Sequence, residues 1–220
     1  MSLLNLRRLL SISLLAFVLA GIAGFVVAQE ERNDWARRDA WQRPAEVMDK
    51  LGIQSGSVVA DVGAGTGYFT FHLASRVGPR GKVYAEDVED RDLKKIKDRA
   101  ADRGLVHIET ILGTTRDPRL PADSLDAILV VNAYHEMREY DAMLSAMFRA
   151  LKPGGRLAIL DQRADPGESR ERYQDRHRIS EELVKEDALR NGLRFSSREP
   201  GFKDADGDTW FFLLFDKPRQ

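Results

Sequence analysis

The sequence of 220 residues contains no cysteine. That absence excludes disulfides, thiolate metal ligation, a cysteine nucleophile and a lipid anchor built on cysteine, and it is compatible with an oxidising compartment. Neither sign of charge is in excess, since 34 Lys and Arg stand against 35 Asp and Glu. With no global field and no basic stripe, nucleic acid is not an expected partner. Histidine is scarce. The four that occur are scattered at positions 72, 107, 135 and 177, and without cysteine they suggest no metal site.

Long hydrophobic runs are also rare, and the longest lies at the start. Arg7 and Arg8 precede an apolar run from Leu9 to Val27, broken only by Ser11 and Ser13, and Val26-Val27-Ala28 offers small residues for cleavage. Residues 1–28 therefore read as a secretory signal peptide that exports the chain to the periplasm or cell envelope. The alternative is an uncleaved anchor, because residues 9–27 are about long enough to span a bilayer and would associate the chain with a membrane. Residues 29–220 form the folded domain, of a size that supports a substantial core.

What the chain does have is a concentrated glycine turn. Val58-Val59-Ala60 reads as a buried parallel strand, Asp61 closes it, and Gly63, Gly65 and Gly67 follow at two-residue spacing before the helical run that includes Tyr68, Phe69, Phe71 and Leu73. Strand, glycine turn and helix open a nucleotide-binding α/β sheet. A dinucleotide site needs its last glycine three residues after the second, and here it comes two after. A nicotinamide-dependent oxidoreductase is thereby disfavoured. Next, Lys82-Val83-Tyr84-Ala85 forms a second strand with Glu86 and Asp87 at its carboxyl end, where an acid can accept both ribose hydroxyls. Asp87 is the expected ribose acid and Glu86 the fallback. The dense charges of residues 89–103 read as a solvated helix face.

The form Asp61-x-Gly63-x-Gly65-x-Gly67 resembles the first motif of the class I S-adenosylmethionine (SAM) methyltransferases. Leu120-Pro-Ala-Asp-Ser-Leu-Asp126 before the fourth strand and Leu151-Lys-Pro-Gly-Gly-Arg-Leu157 before the fifth are similar to that family as well. Together they cover about residues 40–161. The resemblance implies a doubly wound α/β fold with a seven-stranded, mostly parallel sheet whose last strand, Thr209 to Phe215, is antiparallel. It implies SAM as cofactor, with Asp61, Gly63, Ala64, Gly65, Thr66 and Gly67 beside its amino acid end and ribose. The family's acid after the third strand, which meets the adenine amino group, is replaced here by Gly113-Thr114, leaving Thr114 and Asp117 as the two candidates. Trp41-Gln42-Arg43-Pro44 resembles a segment that covers the SAM pocket in relatives, although Trp41 could equally pack a lead helix on the sheet.

Beyond the fourth strand come Asn132, Ala133, Tyr134, His135 and Glu136, where open α/β sheets bind ligands. Asn132 is a candidate cofactor contact, and Ala133 breaks the Asn-Pro-Pro-Tyr pattern of amine methylators. Methyl transfer needs an acceptor held in line with the methyl group and, for a hydroxyl or protonated amine, a base. His135 is the candidate base, Tyr134 a pocket residue, and Glu136 a group to orient His135 or bind a cationic acceptor. This Tyr-His-Glu sequence resembles a group of small, often exported methyltransferase-like proteins. Methylation of a small-molecule acceptor is the expected activity, with a catalytically inactive SAM-fold binding module in the cell envelope as the alternative. Residues 162–179 read as a charged, flexible loop that carries His177 near the pocket mouth, Ser180 reads as a helix cap, and Asp204–Asp208 as a turn.

Overall fold

A computed structural model describes residues 33–203, 207 and 209–219. The expected signal peptide or anchor, and most of the Asp204–Asp208 turn, lie outside the described residues. Among the described residues no helix is long and apolar enough to cross a membrane. The chain divides into two units, Met1–Ala40 and Trp41–Gln220, and in the first of them residues 33–40 are helical.

In the second unit a short helix, α1 (Pro44–Lys50), starts on a proline and buries Val47 and Met48. Strand and helix then alternate: β1 (Val58–Val62), α2 (Tyr68–Val77), β2 (Lys82–Asp87), α3 (Asp90–Asp102), β3 (Ile108–Leu112), β4 (Leu125–Val131), a single 3₁₀ turn (Tyr134–Glu136), α4 (Tyr140–Ala150) and β5 (Leu151–Gln162). After these come α5 (Arg170–Asp175), α6 (Glu181–Arg190), β6 (Arg194–Glu199) and β7 (Trp210–Asp216). The seven strands make one sheet in the order β3-β2-β1-β4-β5-β7-β6. The first five run parallel, and β7 inserts antiparallel between β5 and β6. The doubly wound seven-stranded architecture expected from the sequence is the one found.

Burial explains why these segments adopt these forms. β1 and β4 are covered on both faces, so they are apolar almost throughout. Helix α3 is charged except for Leu93, Ile96, Ala100 and Ala101, and the spacing of the first three puts a single apolar stripe against the sheet. The core gathers Ala60, Val62, Ile128, Val130, Leu144, Met147, Ile159 and Phe211 around the sheet centre. The third strand, which the alternation from Val106 to Leu112 suggests, starts at Ile108 because the exposed Val106 belongs to the preceding turn. β5 begins as early as Leu151, which pairs with Leu125 before the Pro153-Gly154-Gly155 irregularity shifts the register.

Residues 162–179 depart further from expectation, because they are not a structureless loop. Ser169 Oγ caps α5 at Arg172 N, and Tyr173 buries its ring to 1% exposure while its hydroxyl donates to the Asp165 carbonyl at 2.7 Å. Ile179 returns to the sheet end by a parallel bridge to Arg163. One anchoring aromatic among many charges orders the segment. Trp41 packs its ring on Trp210 at 5.2 Å, and Arg43 places its guanidinium 4.6 Å above Phe202. The lead segment is therefore held to the sheet.

Candidate functional site

The strand order reverses between β1 and β4, and ligands bind at such a reversal beyond the carboxyl ends of the strands. A cavity of about 430 Å³ lies there, lined by the glycine loop, the end of β2, Val88, Thr114, Thr115, Asn132, Ala133 and the chain from Glu136 to Arg138. Its ionisable lining residues are Glu86, Asp87, Glu89, Asp92 and Glu136 against Arg138, an arrangement suited to a ligand with positive charge.

The glycine loop is pinned from below. Gly63 N and Ala64 N both donate to the Glu86 carbonyl at 2.9 Å. The three glycines have different duties. A Cβ on Gly63 would overlap that of Ala133, so this glycine permits close approach to the chain after β4. A Cβ on Gly67 would lie 2.8 Å from Ile96 Cγ1, which makes this glycine a packing residue between α2 and α3. A Cβ on Gly65 would meet nothing, and Gly65 lines the cavity. Only Gly65 leaves open space for a ligand beside the backbone.

Asp87 stands where the sequence placed it. Its Oδ2 accepts from Gly65 N at 2.7 Å and its Oδ1 from Glu89 N at 3.0 Å, which aims the carboxylate along the cavity wall. A carboxylate has about four acceptor sites, so capacity for ribose hydroxyls remains. Asp61, expected beside the cofactor, is instead buried beneath the loop, where its Oδ2 accepts from Thr70 Oγ1 at 2.7 Å. It ties strand to helix. The Thr66 carbonyl is taken by the Arg99 guanidinium at 2.9 Å. Thr114 and Asp117 bond to one another through their loop: Thr114 Oγ1 accepts from Asp117 N at 3.0 Å, and Asp117 Oδ1 accepts from Arg119 N at 2.7 Å. Of the two, Thr114 lines the cavity.

Glu86 shows an acid that the sequence reading undervalued. It is 2% exposed, Oε1 has no hydrogen-bond partner, and a Cβ on Gly113 would overlap that oxygen. Burial, followed by the nearby charge of Asp87, pushes its pKa up to about 8. The carboxyl is thus mostly neutral at neutral pH.

Across the cavity, Asn132 adopts a left-handed backbone (φ 55°), lines the wall and leads into the 3₁₀ turn. Tyr134 does not line the pocket. It is fully buried, and its hydroxyl donates to Asp187 at 2.7 Å. Burial, with the charge of Asp187, pushes its pKa well up, which leaves Tyr134 a structural donor. Asp187 is also paired with Arg170 and Arg190.

His135 is 1% exposed and held at two points by Asp161, at the end of β5. Its backbone N–H donates to Asp161 Oδ2 at 3.0 Å, and Nδ1 lies 2.8 Å from Asp161 Oδ1. Burial works against the charged ring, but the bond to Asp161 and the charges of Asp161 and Glu136 outweigh it and raise the pKa. Nε2 is buried with no hydrogen-bond partner. Asp161 was missed in the sequence. The available signal was an acid directly after the apolar run Leu157-Ala158-Ile159-Leu160, the same place that Asp61 holds on β1. The histidines are also less scattered than their numbering suggests, since the rings of His135 and His177 lie 5.5 Å apart and nearly perpendicular. His107, in contrast, bonds to the Ala74 carbonyl at 3.1 Å, a structural contact.

A second cavity, about 620 Å³, adjoins α5 and is lined by Glu136, Arg138, Tyr140, Arg170, Gln174 and His177 among others. Glu136 and Arg138 line both cavities. The first has open space over Gly65, the Asp87 carboxylate at the end of β2 and an acidic wall, which fits SAM.

Residues 34–168 match the model of the ubiE/COQ5 methyltransferase family. Among curated proteins, the chain is 35% identical over 122 residues to the ubiquinone/menaquinone biosynthesis C-methyltransferase UbiE of Pseudomonas putida, covering 55% of this chain and 47% of that protein. It is 30% identical over 125 residues to the demethylmenaquinone methyltransferase of Anoxybacillus flavithermus, covering 57% and 52%. The chain thus spans about half the length of the curated relatives it matches. Among solved structures, a SAM-dependent methyltransferase from Aquifex aeolicus superposes with a TM-score of 0.69 at 26% identity, covering 83% of this chain and 93% of that one. Matched over more than half its length, with the glycine loop and its acids in place, this chain belongs to the ubiE/COQ5 methyltransferase family.

Proposed function

We propose that the protein transfers the methyl group of SAM to a small oxygen-bearing acceptor, of the quinol type that its curated relatives' names suggest. The observation that carries the reading is the Gly65–Asp87 bond, which presents a carboxylate and an unobstructed glycine backbone to the same cavity at the strand reversal. In this reading Asp87 holds the ribose, the Gly63–Gly67 loop borders the amino acid end, Thr114 and the buried Glu86 lie toward the base, and Asn132 closes the far wall. SAM, when bound, supplies an electrophilic methyl group on a sulfonium. The chain's own contribution is position and charge: acidic side chains around a cationic cofactor, and a shared edge at Glu136 and Arg138 where the acceptor cavity begins. His135, oriented by Asp161, stands next to Glu136 at that edge with its Nε2 unpartnered. Export through residues 1–28 belongs to the same proposal and rests on their basic pair and apolar run.

Calorimetric titration of the full chain with SAM tests this reading. Saturable binding is expected, weakened about 10–100-fold in Asp87→Ala, which loses hydrogen bonds to a charged acceptor. A folded protein that binds no SAM would overturn it.

A further inference from the structure

His135 and Glu136, neighbours in the 3₁₀ turn, meet His177 from the segment after α5 beside the acceptor cavity. His135 Nε2 is 3.6 Å from Glu136 Oε1, and His177 Nδ1 is 3.7 Å from the same oxygen. One donor atom from each of the three residues lies within 4.8 Å of the others. These separations are too long for hydrogen bonds. The two separations from Glu136 Oε1 are close to the roughly 3.4 Å between ligand atoms that follows from metal–ligand distances of about 2.1 Å in a tetrahedral site.

Three further features point the same way. His135 Nδ1 is taken by Asp161, so the lone pair available to a ligand is on Nε2, and that atom is buried without a partner. A carboxylate behind a histidine is also how proteins fix the ring of a metal-bound imidazole and raise its basicity. His177 is held in a left-handed backbone (φ 52°) that few non-glycine residues adopt, in a segment tied to the end of the 3₁₀ turn through Gln174 Nε2 and the Met137 carbonyl at 3.3 Å.

We propose that His135, Glu136 and His177 bind one divalent transition-metal cation, with Asp161 as the positioning residue behind His135. Two imidazoles and one carboxylate select a borderline ion of the Zn²⁺, Co²⁺ or Fe²⁺ kind over Mg²⁺ or Ca²⁺, which take oxygen ligands. Three protein ligands leave at least one position open. The 620 Å³ cavity contains both Glu136 and His177 in its wall, so the open position serves a molecule seated there. Resting on the methyltransferase reading, this narrows the acceptor to a compound with an ionisable hydroxyl, best with a second oxygen next to it. The cation binds the hydroxyl oxygen and lowers its pKa, and the proton leaves to water. The resulting oxyanion, or the ring carbon conjugated with it, forms a bond to the methyl carbon; in the second case the proton on that ring carbon then leaves to water and restores the oxyanion. The carbon–sulfur bond breaks with its electron pair going to sulfur, which becomes a neutral thioether.

The test is a Co²⁺ titration of the chelator-treated full chain, followed by the visible absorption of bound Co²⁺ in the presence of excess Mg²⁺, with SAM binding measured on the same samples. Glu136 and His177 are exposed, so Glu136→Gln and His177→Ala are expected to fold. One Co²⁺ per chain is expected. Affinity should fall about 10–100-fold in Asp161→Asn and more in Glu136→Gln and His177→Ala, while His177→Ala retains SAM binding. Absence of saturable Co²⁺ binding, or binding that neither Glu136→Gln nor His177→Ala weakens, overturns the cation site. SAM binding without Co²⁺ binding sinks the cation and leaves the function standing. Co²⁺ binding without SAM binding does the reverse.

Discussion

The two sides of the cavity are built by different means. On the β1–β2 side, the site is mostly main chain: Gly63 N and Ala64 N on one carbonyl, Gly65 N on one carboxylate, and a stretch of thirty residues holding all of it. On the β4–β5 side, it is made of side chains from positions 135, 136, 161 and 177, brought together only by the sheet and by α5. Apart from Asp87, the first side depends on backbone shape more than on side chains. The second is the opposite, and its contacts reach across elements that share no local motif.

The comparison can be broken most forcefully at Asp161. Asp161→Ala strips a buried imidazole of its partner and should destabilise the fold by about 3–5 kcal/mol in chemical denaturation. A loss below about 1 kcal/mol would mean that Asp161 does not hold the second side together. On the first side the sharpest cut is Gly63→Ala. It adds left-handed strain and an overlap with Ala133, together about 2–4 kcal/mol. Gly65→Ala, with free space around it, should lose only about 1 kcal/mol of stability but weaken SAM binding, and equal effects of the two would refute the division of labour among the glycines.

Glu86 sharpens the comparison through pH. Its folded-state pKa of about 8 lies above the ordinary value of 4.5, so between those values the native state holds more proton than the unfolded chain. Stability from this carboxyl is therefore complete below about pH 4.5 and is lost as pH rises through 8, on the order of a few kcal/mol. Glu86→Gln should flatten that decline and leave the mutant the more stable protein at pH 8. Parallel pH profiles for the two proteins would show that the carboxyl is not desolvated. The smallest effect is expected from Tyr134→Phe, about 1 kcal/mol for one hydrogen bond to Asp187, with SAM binding unchanged.

How much was legible in the sequence follows the same division. The glycine turn, the place of Asp87 at the end of β2 and the order of strands could be read because strand, turn and helix are local patterns. Tyr134 was misplaced because it is adjacent to His135, yet a 3₁₀ turn sends neighbouring side chains in different directions, one into the core and one to Asp161. The pairing of His135 with Asp161 across 26 residues, and the approach of His177 by way of a helix anchored on Tyr173, depend on tertiary packing. Asp61 and Thr66 lie in the recognised motif, but their hydrogen bonds serve the loop's own attachment to α2 and α3.

The most direct measurement is a pair of titrations, SAM and Co²⁺, on the full wild-type chain, Asp87→Ala and His177→Ala. If a backbone-built cofactor side and a side-chain-built acceptor side meet at Glu136, Asp87→Ala loses SAM affinity and keeps Co²⁺, and His177→Ala loses Co²⁺ affinity and keeps SAM. Loss of both ligands in either folded variant, or of neither in both, would contradict the two-sided site.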